Sequence, residues 1–245
     1  MAKAIVIKCD GVASYSFGKI VEVNDDTGAL FAAYIFGDDY VGSSLFDYAD
    51  NGHDLTNSFA AFGENYASVG GGARLLLPFS GADVAAFASA ITVIVVHKTP
   101  AANTAFLVSN YVNGSTPAIV IAAPNNAAAR TYSVGATAQN TQIATDPTRG
   151  DQFVLSAATW TPTQHSVHYI KNGVATHNAV AAWTSTAPFG GANNLTISTL
   201  VAGGFDGASD VAAVLVYDRV LTNAEIEAEH DMLAVLLTVG LTPIA

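Results

Sequence analysis

Short apolar runs of four to nine residues recur along the chain, separated by Gly, Asn, Pro and Ser. They read AIVIK (4–8), KIVEV (19–23), RLLLP (74–78), ITVIVVH (91–97), AFLVSNY (105–111), AIVIAA (118–123), RTYSV (130–134), QFVLSAA (152–158), HSVHYIK (165–171), LTIST (195–199) and DVAAVLVYD (210–218). Most are rich in Val, Ile, Tyr and Thr, and none alternates with a stretch of helical period. That pattern predicts an antiparallel all-β fold and argues against a parallel α/β one.

Two local signals are sharper. Asn172-Gly173 supplies both positive-φ residues of a two-residue type I′ turn, so it predicts a hairpin joining 165–171 to 174–179. Counting back from that turn, Lys171 faces Val174 and His168 faces His177. Near the end, Thr222 and Glu225 have capping-box spacing ahead of Ile226, Leu233, Leu236 and Leu237, with Glu225, Glu227 and Glu229 near the positive end of the helix dipole. One C-terminal helix is expected there, closed by Gly240 and Pro243.

With 245 residues, the chain is within the range of one β-sandwich domain. Only 12% of residues are charged against 51% hydrophobic, so much of the surface must be Ala, Ser, Thr, Asn and Gly. That suits a protein packed against other subunits. The formal net charge of −11 repels phosphate backbones and gives no basic patch for nucleic acid. One cysteine, Cys9, allows no intrachain disulfide and no Cys-rich zinc site. The first residues, MAKAIVIKCDG, have too short an apolar run for a signal peptide or a membrane span, so neither secretion nor membrane insertion is expected.

The run GFDGASDVAAVLVYDRVLTNAEIEAEHDML (204–233) resembles the C-terminal signature of laminin G-like domains in the concanavalin A-like superfamily. Val214, Leu215, Tyr217, Asp218, Arg219, Leu221, Thr222, Glu225 and Ile226 occupy its characteristic places. ITVIVVHKTP from Ile91 resembles the family's early core strand, and QFVLSAATWTPTQHSVHYIKNGV from Gln152 its central hairpin. LFDYADNGHDLT from Leu45 and RLLLPFSG from Arg74 resemble its upstream segments. The resemblance implies a two-sheet antiparallel jelly-roll sandwich, concanavalin A-like, with one short C-terminal helix. It divides the chain into leader strands over 1–36 and the sandwich over 37–245.

MAKAIVIKCDGVASYSFGKIV is similar to the leader that opens many bacteriophage tail and virion proteins. That likeness implies a virion-associated structural subunit, as a capsid decoration, fibre or tail-surface protein. Such a subunit is made in the host cytoplasm, contacts other virion proteins and forms a homo-oligomer. The alternative is a carbohydrate-binding module for a host or environmental glycan.

Candidate chemistry is sparse. Glucanases of the superfamily place catalytic carboxylates in an E-x-D-x-E strand, about 5 Å apart for retention. Here Glu stands only at 22, 64, 225, 227 and 229, so no catalytic residue is assigned and the chain is expected not to be an enzyme. A polysaccharide-degrading enzyme is the weakest reading. No G-x-S-x-G elbow is present, and Gly70-Gly71-Gly72 precedes a strand rather than a helix, so it reads as a turn and not a phosphate site. Asp47, Asp50, Asn51 and Asp54 form an oxygen-rich loop that offers ligands to calcium, against the commoner reading of a turn whose side chains bond their own backbone. Asp206 and Asp210 are a second set of that kind. His168 opposite His177, with His165, offers imidazoles to a transition metal, against a plain surface pair. Trp160 and Trp183 are the candidate glycan-stacking rings, with Tyr111, Tyr132 and Phe189 also at or near strand ends, against the alternative that they pack in the core or at its rim.

Overall fold

A computed structural model describes residues 3–7, 19–23, 29–36, 45–49, 51–63, 65–79, 81–111, 118–134, 138–181, 194–199, 205–239 and 244. In chain order the strands are β1 (Lys3–Ile7), β2 (Lys19–Val23), β3 (Leu30–Ile35), β4 (Thr56–Ser58), β5 (Ala61–Gly63), β6 (Tyr66–Val69) and β7 (Arg74–Leu76). A short helix α1 (Gly81–Ala86) precedes β8 (Ile91–Lys98), β9 (Ala105–Ser109), β10 (Ala118–Ala123), β11 (Arg130–Val134) and β12 (Ala138–Gln142). Then come β13 (Val154–Trp160), β14 (Gln164–Lys171), β15 (Val174–Ala181), β16 (Thr196–Ile197), β17 (Ser209–Tyr217) and the helix α2 (Asn223–Val239).

Two antiparallel sheets form the sandwich. One runs β12-β11-β10-β9-β16-β7-β4 and the other β15-β14-β13-β8-β17-β6-β5, with β3 also on β17. The nine residues of β17 are long enough to serve two partners on one edge: Ser209 to Val211 pair with β6, and Ala213 to Tyr217 with β3. Its other edge pairs with β8. The sheet thus takes in Leu30–Ile35, which lies upstream of residue 37. β1 and β2 pair with each other as a separate two-stranded sheet.

Alternation along the strands builds two apolar layers. Val93, Val95, Val214 and Val216 meet Leu75, Leu107, Ile119, Ile121 and Ile197 between the sheets. Ile94, Val96, Leu215 and Tyr217 project from the other face of the same strands, where Leu221, Ile226, Leu233 and Leu237 cover them. Both faces of β8 and β17 are therefore buried, which is why VIVV (93–96) and VAAVLVY (211–217) are unbroken apolar runs rather than alternating ones. Each fully buried Leu or Ile on α2 contributes roughly 1.5–3 kcal/mol of burial free energy.

The two sharp local signals have the expected geometry. Asn172 and Gly173 have φ of 53° and 69°, and the hairpin pairs Lys171 with Val174 and His168 with His177. At the start of α2 the Glu225 carboxylate accepts from the Thr222 amide at 2.7 Å, and the Glu225 amide donates to the Thr222 hydroxyl at 3.3 Å. The side chains of Ile226, Leu233 and Leu237 are buried as the apolar stripe requires, while that of Leu236 lies outside the described residues. Gly70, Gly71 and Gly72, with φ of 104°, 63° and 93°, form the turn between β6 and β7.

Candidate functional site

Strand parity around the hairpin decides which side chains meet. Ser166, His168 and Ile170 of β14 share one face with Ala175 and His177 of β15, and α2 approaches that side. Val167, Tyr169 and Lys171 share the other with Val174, Thr176 and Asn178. Val167 and Tyr169 pack there against Ala128, Ala129, Ile143 and Val154, so this second face looks inward, towards the other sheet.

Along that inner side, beside β15, the two sheets leave a cleft of about 600 Å³. Its polar lining comes from Asp146, Tyr169, Lys171, Asn172, Thr176 and Asn178, and its apolar lining from Ala128, Ile143, Ala144 and Val174. Asp146 is its electrostatic centre. One carboxylate oxygen accepts from the Tyr169 hydroxyl and the Lys171 ammonium, both at 2.7 Å. The other accepts from the amide and the hydroxyl of Thr148, both at 2.9 Å. Burial alone raises the Asp146 carboxyl, but the donors from Lys171, Tyr169 and Thr148 outweigh it and hold it at about 2. Burial, then hydrogen bonding to this carboxylate, pushes the Tyr169 phenol upward, so it remains a donor. Asn178 donates to the Gln142 carbonyl at 2.7 Å and ties β15 across to β12. Thr176, Asn178 and Val174 are exposed, so a ligand lying on the cleft meets an amide, a hydroxyl and an apolar floor. That mixture of convergent polar groups on an apolar base is the usual make-up of a small-molecule site.

The Asx-rich loop has a structural role. Asp47 is buried, and its Oδ1 accepts from the Ala33 and Ala49 amides, both at 3.0 Å. Its Oδ2 accepts from the amides of Asn51 at 3.2 Å and His53 at 3.4 Å. Asp54 accepts from the Asp47 amide at 3.0 Å, and the Asn51 side chain donates to the carbonyls of Leu30 and Phe31. These groups pin the loop to β3, with Asp47 Oδ2 also 3.3 Å from His53 Nδ1, so in this structure Asp47, Asn51 and Asp54 anchor backbone as the turn reading expects. Asp50 lies outside the described residues. Asp210 accepts from Ser68 at 2.6 Å. Among the described residues, no three His, Cys, Asp or Glu side chains are grouped as a metal site would require.

Trp160 ends β13 on the inter-sheet face, opposite Ile91 and His165, and is 1% exposed. Its ring faces are taken by the core, which corrects its assignment as a glycan-stacking platform. Trp183 lies outside the described residues, as does Phe189.

His168 and His177 form a relay rather than a plain surface pair. Their Nδ1 atoms are 2.8 Å apart, His177 Nε2 is 2.9 Å from Glu227 of α2, and His168 Nε2 is 2.6 Å from Ser166 Oγ, itself 2.6 Å from Thr159 Oγ1. One assignment of protons satisfies the chain: His177 donates to Glu227, His168 donates to His177, and Ser166 donates to His168. Burial, then the neighbouring His177, pushes the His168 imidazole down to about 4. His165 projects from the opposite face and takes no part.

No family model matches the sequence, and no curated protein does. The laminin G-like and phage-leader resemblances therefore stand on the residues quoted for them. Solved structures do match in fold. A Trypanosoma rangeli sialidase in complex with sialic acid superposes with a TM-score of 0.58 at 17% identity, over 93% of this chain and 36% of that one. The binding domain of Paraclostridial Mosquitocidal Protein 1 gives 0.63 at 10% identity, over 82% and 51%. A structure of botulinum neurotoxin type C, whose cell entry is dependent upon interaction with two ganglioside molecules, gives 0.61 at 9% identity, over 84% and 51%. The chain thus spans about a third of the sialidase and about half of the toxin chains. These matches show that the β-sandwich fold is shared. They also correct the expectation that the chain is not an enzyme, because sialidases contain the same sandwich. The missing E-x-D-x-E strand excludes one glucanase chemistry and not catalysis at large.

Proposed function

We propose that this chain is a glycan-binding β-sandwich domain whose binding surface is the cleft between β14, β15 and the segment around Asp146. The observation that carries the reading is the cleft itself. An amide, a hydroxyl and a clamped carboxylate converge on an apolar floor at the open side of a sandwich, and sugars present hydroxyls and apolar ring faces together. The solved chains of similar fold that bear sialic acid or act through gangliosides add support from analogy of fold. A glycan array followed by calorimetry on the hits tests it. Thr176→Ala with Asn178→Ala should weaken binding at least tenfold, about 1.4 kcal/mol, while the melting temperature moves by only a few degrees. Unchanged affinity in a folded double variant would move the site elsewhere.

A second reading concerns where such a domain is used: as a bacteriophage virion subunit of the capsid-decoration, fibre or tail-surface kind, oligomeric and in contact with other virion proteins. Its support is the resemblance of the leader and the sparse surface charge. β1 and β2 pair only with each other among the described strands, and an isolated two-stranded sheet is marginal in water. Docking on a neighbouring subunit's sheet edge would give it a third strand. Deleting residues 1–24 should then leave a cooperative thermal transition while abolishing oligomer or particle association. Full association by the truncated chain would refute this reading.

A further inference from the structure

The cleft's charge state bears on the ligand it accepts. Lys171 is the one cationic side chain among its described lining residues, and that cation is already engaged. Its ammonium lies 2.7 Å from the Asp146 carboxylate and 2.5 Å from the Thr148 hydroxyl, with both members of the ion pair largely shielded from water. Asp146 in turn receives two donors on each oxygen. The pair is locally neutral, and neither partner is released without loss of the other's contacts. The chain around it carries a formal net charge of −11, so an approaching anion meets repulsion that no other cation among the described lining residues offsets. What remains on offer is uncharged: the Thr176 hydroxyl, the carboxamides of Asn178 and Asn172 at the atoms not bonded to Gln142 and Gln152, and the apolar surface of Ile143, Ala144 and Val174.

We infer that the cleft selects neutral glycans and rejects acidic ones. This rests on the glycan-binding reading and adds the ligand class to it. Carboxylate sugars are normally held by an Arg or Lys free to pair with them, and here the cation is consumed by Asp146. Selectivity should therefore follow from one ion pair. Removing the negative partner frees the positive one.

The test uses the full chain against matched pairs, lactose with 3′-sialyllactose and N-acetyllactosamine with its sialylated form, by array and calorimetry. The neutral member of each pair should bind at least tenfold more tightly, and its affinity should be nearly flat between low and high salt. Asp146→Asn keeps the side-chain shape and one acceptor oxygen while removing the charge that masks Lys171, and should shift the sialylated-to-neutral affinity ratio upward by at least threefold, a shift that falls again with added salt. Lys171→Met serves as the companion, since it should leave acidic glycans excluded. Equal or tighter binding of the sialylated members by the unaltered chain overturns the inference while leaving glycan binding intact. Failure of every glycan to bind overturns the functional reading itself. An unchanged ratio in a folded Asp146→Asn chain shows that Lys171 does not set selectivity, which also overturns the inference.

Discussion

Arg149→Met is the substitution for which the structure gives the largest expected effect from a single polar side chain. Arg149 is 1% exposed, and every hydrogen bond of its guanidinium goes to a backbone carbonyl. It reaches Asn103 at 2.8 Å, Ala123 at 3.1 Å, Thr99 and Pro100 at 3.4 Å, and also Pro124 and Ala127. Those carbonyls belong to the β8–β9 connection and to the end of β10 and the β10–β11 connection, and Arg149 itself to the β12–β13 connection. One planar cation thus holds three loops together. Burial lowers the guanidinium's proton affinity, and nearby Tyr169 and Asp146 act in the opposite direction.

Pro100 and Pro124 keep a second donor, from the amides of Asn103 and Ala127. All six carbonyls lose the guanidinium donor, and the loss weighs mainly on the other four. At about 1 kcal/mol net for each, with relief of a buried charge roughly offset by the cavity left behind, the substitution should cost about 4 kcal/mol. For a domain of this size that corresponds to a fall in Tm of about 8–16 °C. Circular dichroism melting at neutral pH measures it, with Arg130→Met as the comparison, because Arg130 bonds to the side chains of Asn126, Tyr132 and Gln142 near the surface. A fall no larger for Arg149→Met than for Arg130→Met would refute the account of Arg149 as the clamp.

Acid should destabilise the fold. Burial holds His97 at about 3 and His165 and His168 at about 4, against 6.5 for a free imidazole. These depressed values contribute stability that is fully present above pH 6.5 and is lost as pH falls towards 4, at up to about 1.4 kcal/mol per pH unit for each group. A Tm that stays level from pH 7 to pH 5 would contradict this. Gly70→Ala should cost at least about 2 kcal/mol, since its φ is 104° and an added Cβ would lie 2.5 Å from the Gly207 carbonyl. Gly71→Ala, with φ of 63° and nothing within 4 Å, should cost only about 1 kcal/mol, and equal denaturant midpoints for the two would remove the steric argument. Val214→Ala should cost about 2 kcal/mol and Leu215→Ala about 3 kcal/mol by chemical denaturation, as both faces of β17 are buried.

How much of this was readable from the residues depended on whether the signal was local. The Asn172-Gly173 turn and the Thr222 capping box need only their own few residues to act, and the structure has both. The apolar runs of β8, β10, β13 and β17 announced strands because β-branched residues fill buried pleats on both sides. β3 went unread although LFAAYI is nearly all apolar, since its identity as a strand depends on β17, far away in the chain. β4, β5 and β6 have three or four residues each, too few to show a period. Asx residues in a loop fit cation binding and backbone capping equally well until the amides they face are known, and for Asp47 those include the amide of Ala33, fourteen positions away.

The site shows the same limit in a sharper form. The turn at Asn172 fixes two sets of side chains at once, because strand residues alternate between faces. Counting from it brought out His168 and His177, which share a residue type and draw the eye. The same count places Tyr169, Lys171, Val174, Thr176 and Asn178 together on the opposite face, where they line the cleft. Nothing local says which set faces the other sheet, because Ile170 on one face is as apolar as Val167 on the other and both are buried. That choice is made by pairing across the sandwich, which brings Asp146 to Tyr169 and Lys171 over separations of 23 and 25 residues. Trp160 obeys the same parity: it lies opposite His165, on the inward face with Val167 and Tyr169, so its ring is buried where a reading by residue type placed it in solvent. In a sandwich covered on the outside by a helix, aromatic content at strand ends is therefore a poor guide to a sugar platform, and the hairpin face that carries mixed polar and apolar residues is the better one.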